Sequence, residues 1–265
     1  MDLLPSGETH RVRHLFEPAH LTLVIDGVAA GNTPARVWAD DSGGPRSAMV
    51  WDGTHNLYFT GDLDRAGAWR DLFDRDIAPA CTGILKVHTD DASAAAVFGG
   101  LPMRRRERVF YRRDPRPVPD WRQALPAGYR VTPIHDGYDD LSALANAADV
   151  TSEIGLGWHS VTHFRRAGFG FAAHTGDAIV CWCTAEFVSG GKCGIGIETV
   201  PEHQGRGLAT LTATAFVEHC AARGITAHWD AWADNLSSVA VAEKVGFRLV
   251  ERYPALVGDF AGLRA

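Results

Sequence analysis

The sequence predicts an α/β fold, an α+β mixed sheet laid down in two consecutive halves. Three observations predict it. Short apolar alternations are interleaved with stretches of helical spacing along the whole chain. Pro115, Pro117, Pro119 and Pro126 form a run that excludes helix and favours an extended linker, dividing the chain into domains 1–118 and 128–265. The two halves also repeat one order of elements: a hairpin, a strand, a helix, a strand, a helix and a last basic strand.

In the first half a helix is expected over 8–16, and strands over 36–39, 47–51 and 56–60. Gly43-Gly44-Pro45 and Asp52-Gly53 supply the turns between those strands. A helix over 63–77, a strand over 83–88, a short helix over 92–98 and a basic strand over 105–112 complete it. The second half opens with a strand over 129–134. Leu141, Leu144, Ala145 and Ala148 give 139–148 helical spacing, and a shorter helix is expected over 154–164. Strands 168–173 and 178–188 flank the turn Thr175-Gly176-Asp177, and strand 193–200 follows Ser189-Gly190-Gly191. The helix 207–223 stops at Gly224. A strand over 226–231, a helix over 236–245 closed by Gly246, and a strand over 247–253 end the pattern. A strand, an acidic turn, a helix, a glycine and a strand occur at 84–111 and again at 226–253. Either duplication or chance similarity of two α/β halves accounts for it.

Composition narrows the function. The chain has 265 residues, 46% hydrophobic and 22% charged, too apolar and too weakly charged for intrinsic disorder. No apolar run approaches the ~18 residues of a transmembrane helix. The segment 1–10 is polar and shows no secretory signal, so a cytoplasmic protein without membrane contact is expected. The net charge of −6, from 26 basic and 32 acidic residues, disfavours nucleic acid as a partner. Five cysteines without a C-x-x-C pair read as buried small residues in a reducing compartment, and no metal site is expected. His159 and His163 stand four apart, a spacing more often found on one polar helix face than in a ligand pair.

One segment carries chemistry: Thr199-Val200-Pro201-Glu202-His203-Gln204-Gly205-Arg206-Gly207-Leu208-Ala209-Thr210. A strand enters a turn with two glycines, and the turn opens a helix. Such a helix start exposes unpaired N–H groups and the positive end of the dipole, where backbone can wrap a pyrophosphate if no side chain intrudes. An ordinary β–α turn is the other reading. The Walker ending Gly-Lys-Ser/Thr is missing, as is the third glycine of G-x-G-x-x-G.

Gln204-x-x-Gly207-x-Ala209 resembles the Q/R-x-x-G-x-G/A loop of the GCN5-related N-acetyltransferase (GNAT) superfamily. Downstream, Asn235, the helix after it and the closing Gly246-Phe247 resemble that superfamily's second signature. The resemblance covers about 128–265, and His228-Trp229-Asp230 ahead of Asn235 is closest to a branch that couples a degenerate N-terminal half to a working C-terminal domain.

The resemblance implies a GNAT fold in the C-terminal half, with parallel central strands 193–200 and 226–231 splayed apart, after a smaller degenerate GNAT-like half lacking the cofactor loop. It implies acetyl-CoA in the splay, contacted by Ile197, Thr199, Gln204, Gly205, Arg206, Gly207, Leu208, Ala209, Thr210, Asn235 and Ser238. It further implies acetyl transfer to the primary amine of a small molecule by direct attack on the thioester. Glu153, Trp158 and Phe164 lie where relatives cover the acceptor. Two departures stand out. Ala242 occupies the position where many relatives have a general-acid Tyr, and Gly194 the position of a common Glu. Glu198, Asp230 and Glu186 are therefore the candidate carboxylates. Glu198 leads, because partial burial near the opening of the splay would suit a general base. A non-catalytic acyl-CoA-binding or sensing module is the alternative. Oligomeric state is left open.

Overall fold

The computed structural model describes residues 1–261 and divides into two units, 1–109 with 251–261, and Phe110–Val250. The chain leaves the first unit within one strand and returns to it within another. The expected boundary at the proline run therefore differs from the observed one. The last strand of the sequence pairs inside the first unit instead of closing the second.

The first unit contains β1 (Asp2–Leu3), a ten-residue 3-10 stretch over Ser6–Leu15, α1 (Ala19–Ala29), β2 (Arg36–Ala39), β3 (Ser47–Trp51), β4 (Asn56–Gly61), α2 (Ala66–Leu72), β5 (Ile84–His88), α3 (Asp91–Phe98) and most of β6 (Met103–Arg113). β1 to β5 lie side by side in sequence order. β4 and β5 run parallel, with Asn56, Leu57 and Tyr58 opposite Lys86, Val87 and His88. Against them pack Phe59, Trp69, Leu72, Phe73, Val87 and Phe98, all buried. The expected helix at 8–16 is a 3-10 stretch, and α1 was not expected. Its sequence buries Leu21, Leu23, Val24, Ile25 and Val28 on several sides, so it shows no amphipathic stripe to betray a helix.

The second unit contains β7 (Arg130–Pro133), α4 (Ile134–Leu141), α5 (Ala147–Gly157), α6 (Val161–Ala167), β8 (Gly170–His174), β9 (Ile179–Ser189), β10 (Lys192–Thr199), α7 (Leu208–Ala222), β11 (Thr226–Trp232), α8 (Leu236–Lys244) and the start of β12 (Arg248–Asp259). Its strands lie in the order β11, β10, β9, β8, β7, with the end of β6 beside β11. One face packs Ala172 and Trp182 against Ile134, Val150, Ile154, Trp158 and Phe164 of the α4–α6 layer. The other packs Ala173 and Cys181 against Leu208 of α7. The two helices expected at 139–148 and 154–164 are three. Asn146 sits at φ +66, a left-handed break between α4 and α5, and Ser160 caps α6 by accepting from the His163 N–H. The cysteines are free and buried, as their composition suggested.

Candidate functional site

β10 and β11 pair in parallel at their starts, Lys192 opposite Thr226 and Cys193 opposite Ala227. Beyond, a groove of about 450 Å³ opens between Ile197, Glu198 and Thr199 on β10 and Trp229 on β11. Its floor is the turn and first residues of α7, and its far wall is Asn235, Ser237, Ser238, Val241 and Lys244 around α8. His228 pins the root of the fork. Its Nδ1 lies 3.2 Å from the Cys193 carbonyl, so the proton is on Nδ1. Burial pushes its pKa down to about 4, which keeps the ring neutral.

The local sequence dictates the floor. Gly205 and Gly207 have φ +74 and +79, a region L side chains rarely adopt, and a Cβ at either would meet nothing within 4 Å. Glycine is therefore required by conformation, and the space above it is open. Gly207 caps α7 without any side-chain acceptor, and the first turn carries no acidic residue. The leading N–H groups of a fifteen-residue helix thus face the groove unneutralised. Gln204 does not reach into the groove with its amide. Its Nε2 donates to the Thr199 carbonyl (3.0 Å) and ties the turn to the end of β10. Arg206 is not a lining residue; its guanidinium donates to Tyr129 Oη (3.1 Å) and the Glu202 carbonyl (3.2 Å).

On the opposite wall Asn235 caps α8, its Oδ1 accepting from the Ser238 N–H (3.2 Å) and the Ser237 hydroxyl (2.9 Å). Ser238 Oγ accepts from Trp229 Nε1 (3.0 Å), joining α8 to β11. The far end of α8 is closed by Gly246 at φ +92. The Phe247 N–H donates to the Ala242 carbonyl and the Gly246 N–H to the Glu243 carbonyl, both at 3.0 Å. Ile197, Thr199, Gln204, Gly205, Gly207, Leu208, Ala209, Thr210, Asn235 and Ser238 all line the groove, whereas Arg206 stands outside it. Lys244 and His203 line it as well. Lys244 was legible, being nine residues after Asn235 on a helix whose inner face is Ser237, Ser238 and Val241.

The carboxylates divide differently from the expectation. Glu198 lines the groove but is exposed. Asp230 is half-buried and follows the groove-lining Trp229, which puts its side chain on the other face of β11. Glu186 stands on β9 directly opposite Gly194. A Cβ placed on Gly196 would lie 2.6 Å from Glu186 Oε1, 2.9 Å from Glu153 Oε1 and 3.2 Å from Thr184 Oγ1. The two half-buried carboxylates and the hydroxyl therefore converge over the bare backbone of β10. A bulge aims Glu186: Lys192 pairs with Ser189 but Gly194 with Glu186, so Phe187 and Val188 oppose Cys193, and Phe187 is held at φ +50. Trp158 and Phe164 are core residues, 3% and 0% exposed, and Trp158 Nε1 donates to the Ala185 carbonyl (2.8 Å). Neither lines the groove.

Among the described residues no His, Cys, Asp and Glu cluster could hold a metal ion, and no helix is long and apolar enough to cross a membrane. His159 lies ahead of α6 and stacks on His163 at 5.4 Å between ring centroids.

The profile of the GNAT acetyltransferase family matches residues 13–256. The chain is 24% identical over 255 residues to the uncharacterised N-acetyltransferase YdfB of Bacillus subtilis (strain 168), covering 91% of this chain and 92% of that protein. It resembles the crystal structure of a GCN5-related N-acetyltransferase-like protein from Streptococcus suis 89/1591, with a TM-score of 0.70, 21% identity, and coverage of 94% and 98% of the two chains. A tandem GNAT protein from the clavulanic acid biosynthesis pathway superposes with a TM-score of 0.58 at 14% identity, covering 97% of each chain.

Proposed function

The chain belongs to the GNAT acetyltransferase family, and we propose that it moves an acetyl group from acetyl-CoA to a primary amine of a small molecule in the cytoplasm. The observation that carries this reading is the open fork of β10 and β11 leading onto the glycine-capped start of α7. Acetyl-CoA would supply the thioester that activates the acyl carbon. The N–H groups over 204–210 would hold its pyrophosphate, Lys244 would add a positive charge, and the backbone beside Ile197 and Thr199 would pair with the pantetheine arm. The amine would approach from the α4–α6 face of β10, onto which Glu186 and Glu153 converge.

An alkyl amine has a pKa of roughly 10 and arrives protonated at neutral pH, so a carboxylate must position the ammonium and take up its proton, directly or through water. Glu186 fits that task better than Glu198. Gly194 has no side chain to give, and Glu186 stands opposite it on the neighbouring strand, half-buried beside Glu153. The backbone N–H groups of β10 at the fork are the donors available to the oxyanion. Ala242, 0% exposed, leaves no hydroxyl at the position of the usual acid, so the leaving thiolate would be protonated by solvent.

That same buried Ala242 favours a second reading, a module that binds acyl-CoA without turnover. A screen of free-thiol release from acetyl-CoA over peptides, aminoglycosides, polyamines and lysine separates the two. Release that depends on an added amine supports transfer. Tight acetyl-CoA binding with no release for any amine supports the sensing module.

A further inference from the structure

A second cavity, of about 380 Å³, lies in the second unit at the C-terminal end of α8. Four arginines border it, Arg112, Arg113, Arg116 and Arg248, against two carboxylates, Asp114 and Glu243. In a chain of net charge −6 this is a local reversal of sign. The carboxylates are already engaged. Asp114 bridges Arg112 (3.1 Å) and sits 3.8 Å from Arg116, and Glu243 accepts from the Tyr111 hydroxyl (3.2 Å).

Arg113 is the unusual member. It is 8% exposed, and its hydrogen bonds go to neutral carbonyls: Nε to Val245 (3.0 Å), Nη1 to Asp114 (3.3 Å) and Nη2 to Arg116 (3.1 Å). A guanidinium has five N–H donors, so these three bonds leave two. Burial, with Arg116 nearby, lowers the Arg113 pKa, the direction expected of a cation short of a counter-charge. The negative end of α8 does not oppose an anion here. The Ala242 and Glu243 carbonyls accept from Phe247 and Gly246, and the Val245 carbonyl accepts from Arg113 itself.

We propose that this arginine-lined cavity binds a phosphate group, at a site separate from the acetyl-CoA groove. A phosphomonoester carries close to two negative charges at neutral pH and three acceptor oxygens, which suits an excess of two guanidinium charges in fork geometry. Neighbouring positions on α8 face the two places, Lys244 the groove and Glu243 this cavity. The phosphate comes either from a free phosphorylated compound or from the adenosine 3′-phosphate of CoA. The geometry points to the free compound, because the groove has a cation of its own in Lys244.

Calorimetric titration of the full chain with inorganic phosphate and with pyrophosphate, at low ionic strength, with and without saturating CoA, tests this. Arg116 and Arg248 are exposed, so the double variant Arg116→Gln/Arg248→Gln retains the fold. It should bind phosphate at least about tenfold more weakly while its CoA affinity changes less than about twofold. Lys244→Gln should weaken CoA about fivefold and leave phosphate affinity within about twofold, and CoA should leave phosphate binding in place. Unchanged phosphate affinity in the double variant, or CoA abolishing the phosphate signal, would overturn the proposal. A chain that takes no CoA would defeat the acetyltransferase reading, and the double variant would still decide this one.

Discussion

The loops after β4 and after β10 occupy the same place in the same order of elements and are built in opposite ways. After β4, Gly61 at φ +108 is pressed onto β3, where a Cβ would come within 2.2 Å of the Arg46 carbonyl. Asp62 and Asp64 then pair with Arg46 at 3.1 and 3.4 Å, and α2 begins at Ala66 behind Arg65, which donates to the Asp40 carbonyl. After β10, two glycines stand in open space and the first turn of α7 carries no acid. The difference extends to the strands. Phe59 meets the Trp69 ring edge-on at 5.4 Å and Phe98 at 6.2 Å, filling the side of β4, whereas β10 and β11 leave a groove. One α/β pattern thus yields a core when aromatic side chains fill it. It yields a groove when glycine holds the turn and the two parallel strands diverge beyond their starts.

The sharpest test of that contrast is chemical. Glu186→Gln keeps the shape and removes the base, and should lower kcat by ~10²–10³-fold at neutral pH with acetyl-CoA affinity unchanged. The loss should shrink as pH rises toward the amine pKa, and Glu198→Gln should cost under ~10-fold. Equal losses in the two variants, in a steady-state thiol-release assay, would return Glu198 to the leading role.

Next comes binding. Titration should give one acetyl-CoA per chain, because the loop ahead of α2 is closed by Gly61 pressed onto β3 and by Asp62 and Asp64 paired with Arg46, leaving no open turn for a pyrophosphate. Gly207→Val forces a β-branched residue to φ +79, and should weaken acetyl-CoA by ~10²-fold or more while the circular dichroism of the chain is kept. A stoichiometry of two would break the contrast outright.

A smaller effect concerns pH. The folded His228 pKa of about 4 lies below its ordinary 6.5, so an unfolded chain takes up a proton that the folded one refuses. The contribution is fully present above about pH 6.5 and is lost as pH falls toward 4, by on the order of 3 kcal/mol in total. His228→Gln, whose amide can still donate to the Cys193 carbonyl, should flatten the denaturation midpoint between pH 5 and 7.5. Smallest of all, Lys244→Gln removes one exposed charge and should weaken acetyl-CoA only about fivefold, less so in high salt.

Much of this was legible before any coordinates. Gln204 to Ala209 and Asn235 to Phe247 mark the groove's two walls because turn and cap geometry depend on residues close in sequence. The α4–α6 layer was less legible. Its breaks rest on a left-handed Asn146 and a Ser160 cap inside an apolar stretch, and apolar spacing alone joins such pieces. Trp158 and Phe164 were misplaced because burial is a tertiary property. A sequence shows an aromatic residue but not which side of a helix meets the sheet. Glu198 was ranked above Glu186 for the same reason. Strand alternation gives a face, whereas the bulge that turns Glu186 over Gly196 needs Phe187 in a conformation that no local pattern announces.

The return of the chain to its first unit has a practical consequence for dissecting the gene. Residues 255–259 of β12 pair antiparallel with 84–88 of β5. A fragment cut at the proline run, 128–265, would carry that strand without its partner, an unpaired row of N–H and C=O groups that invites edge-to-edge aggregation. A fragment ending near 118 would leave β5 bare in the same way. Separate expression of the halves would therefore report on exposed edges more than on function. Dissection is better done on the intact chain, by substitutions in each loop.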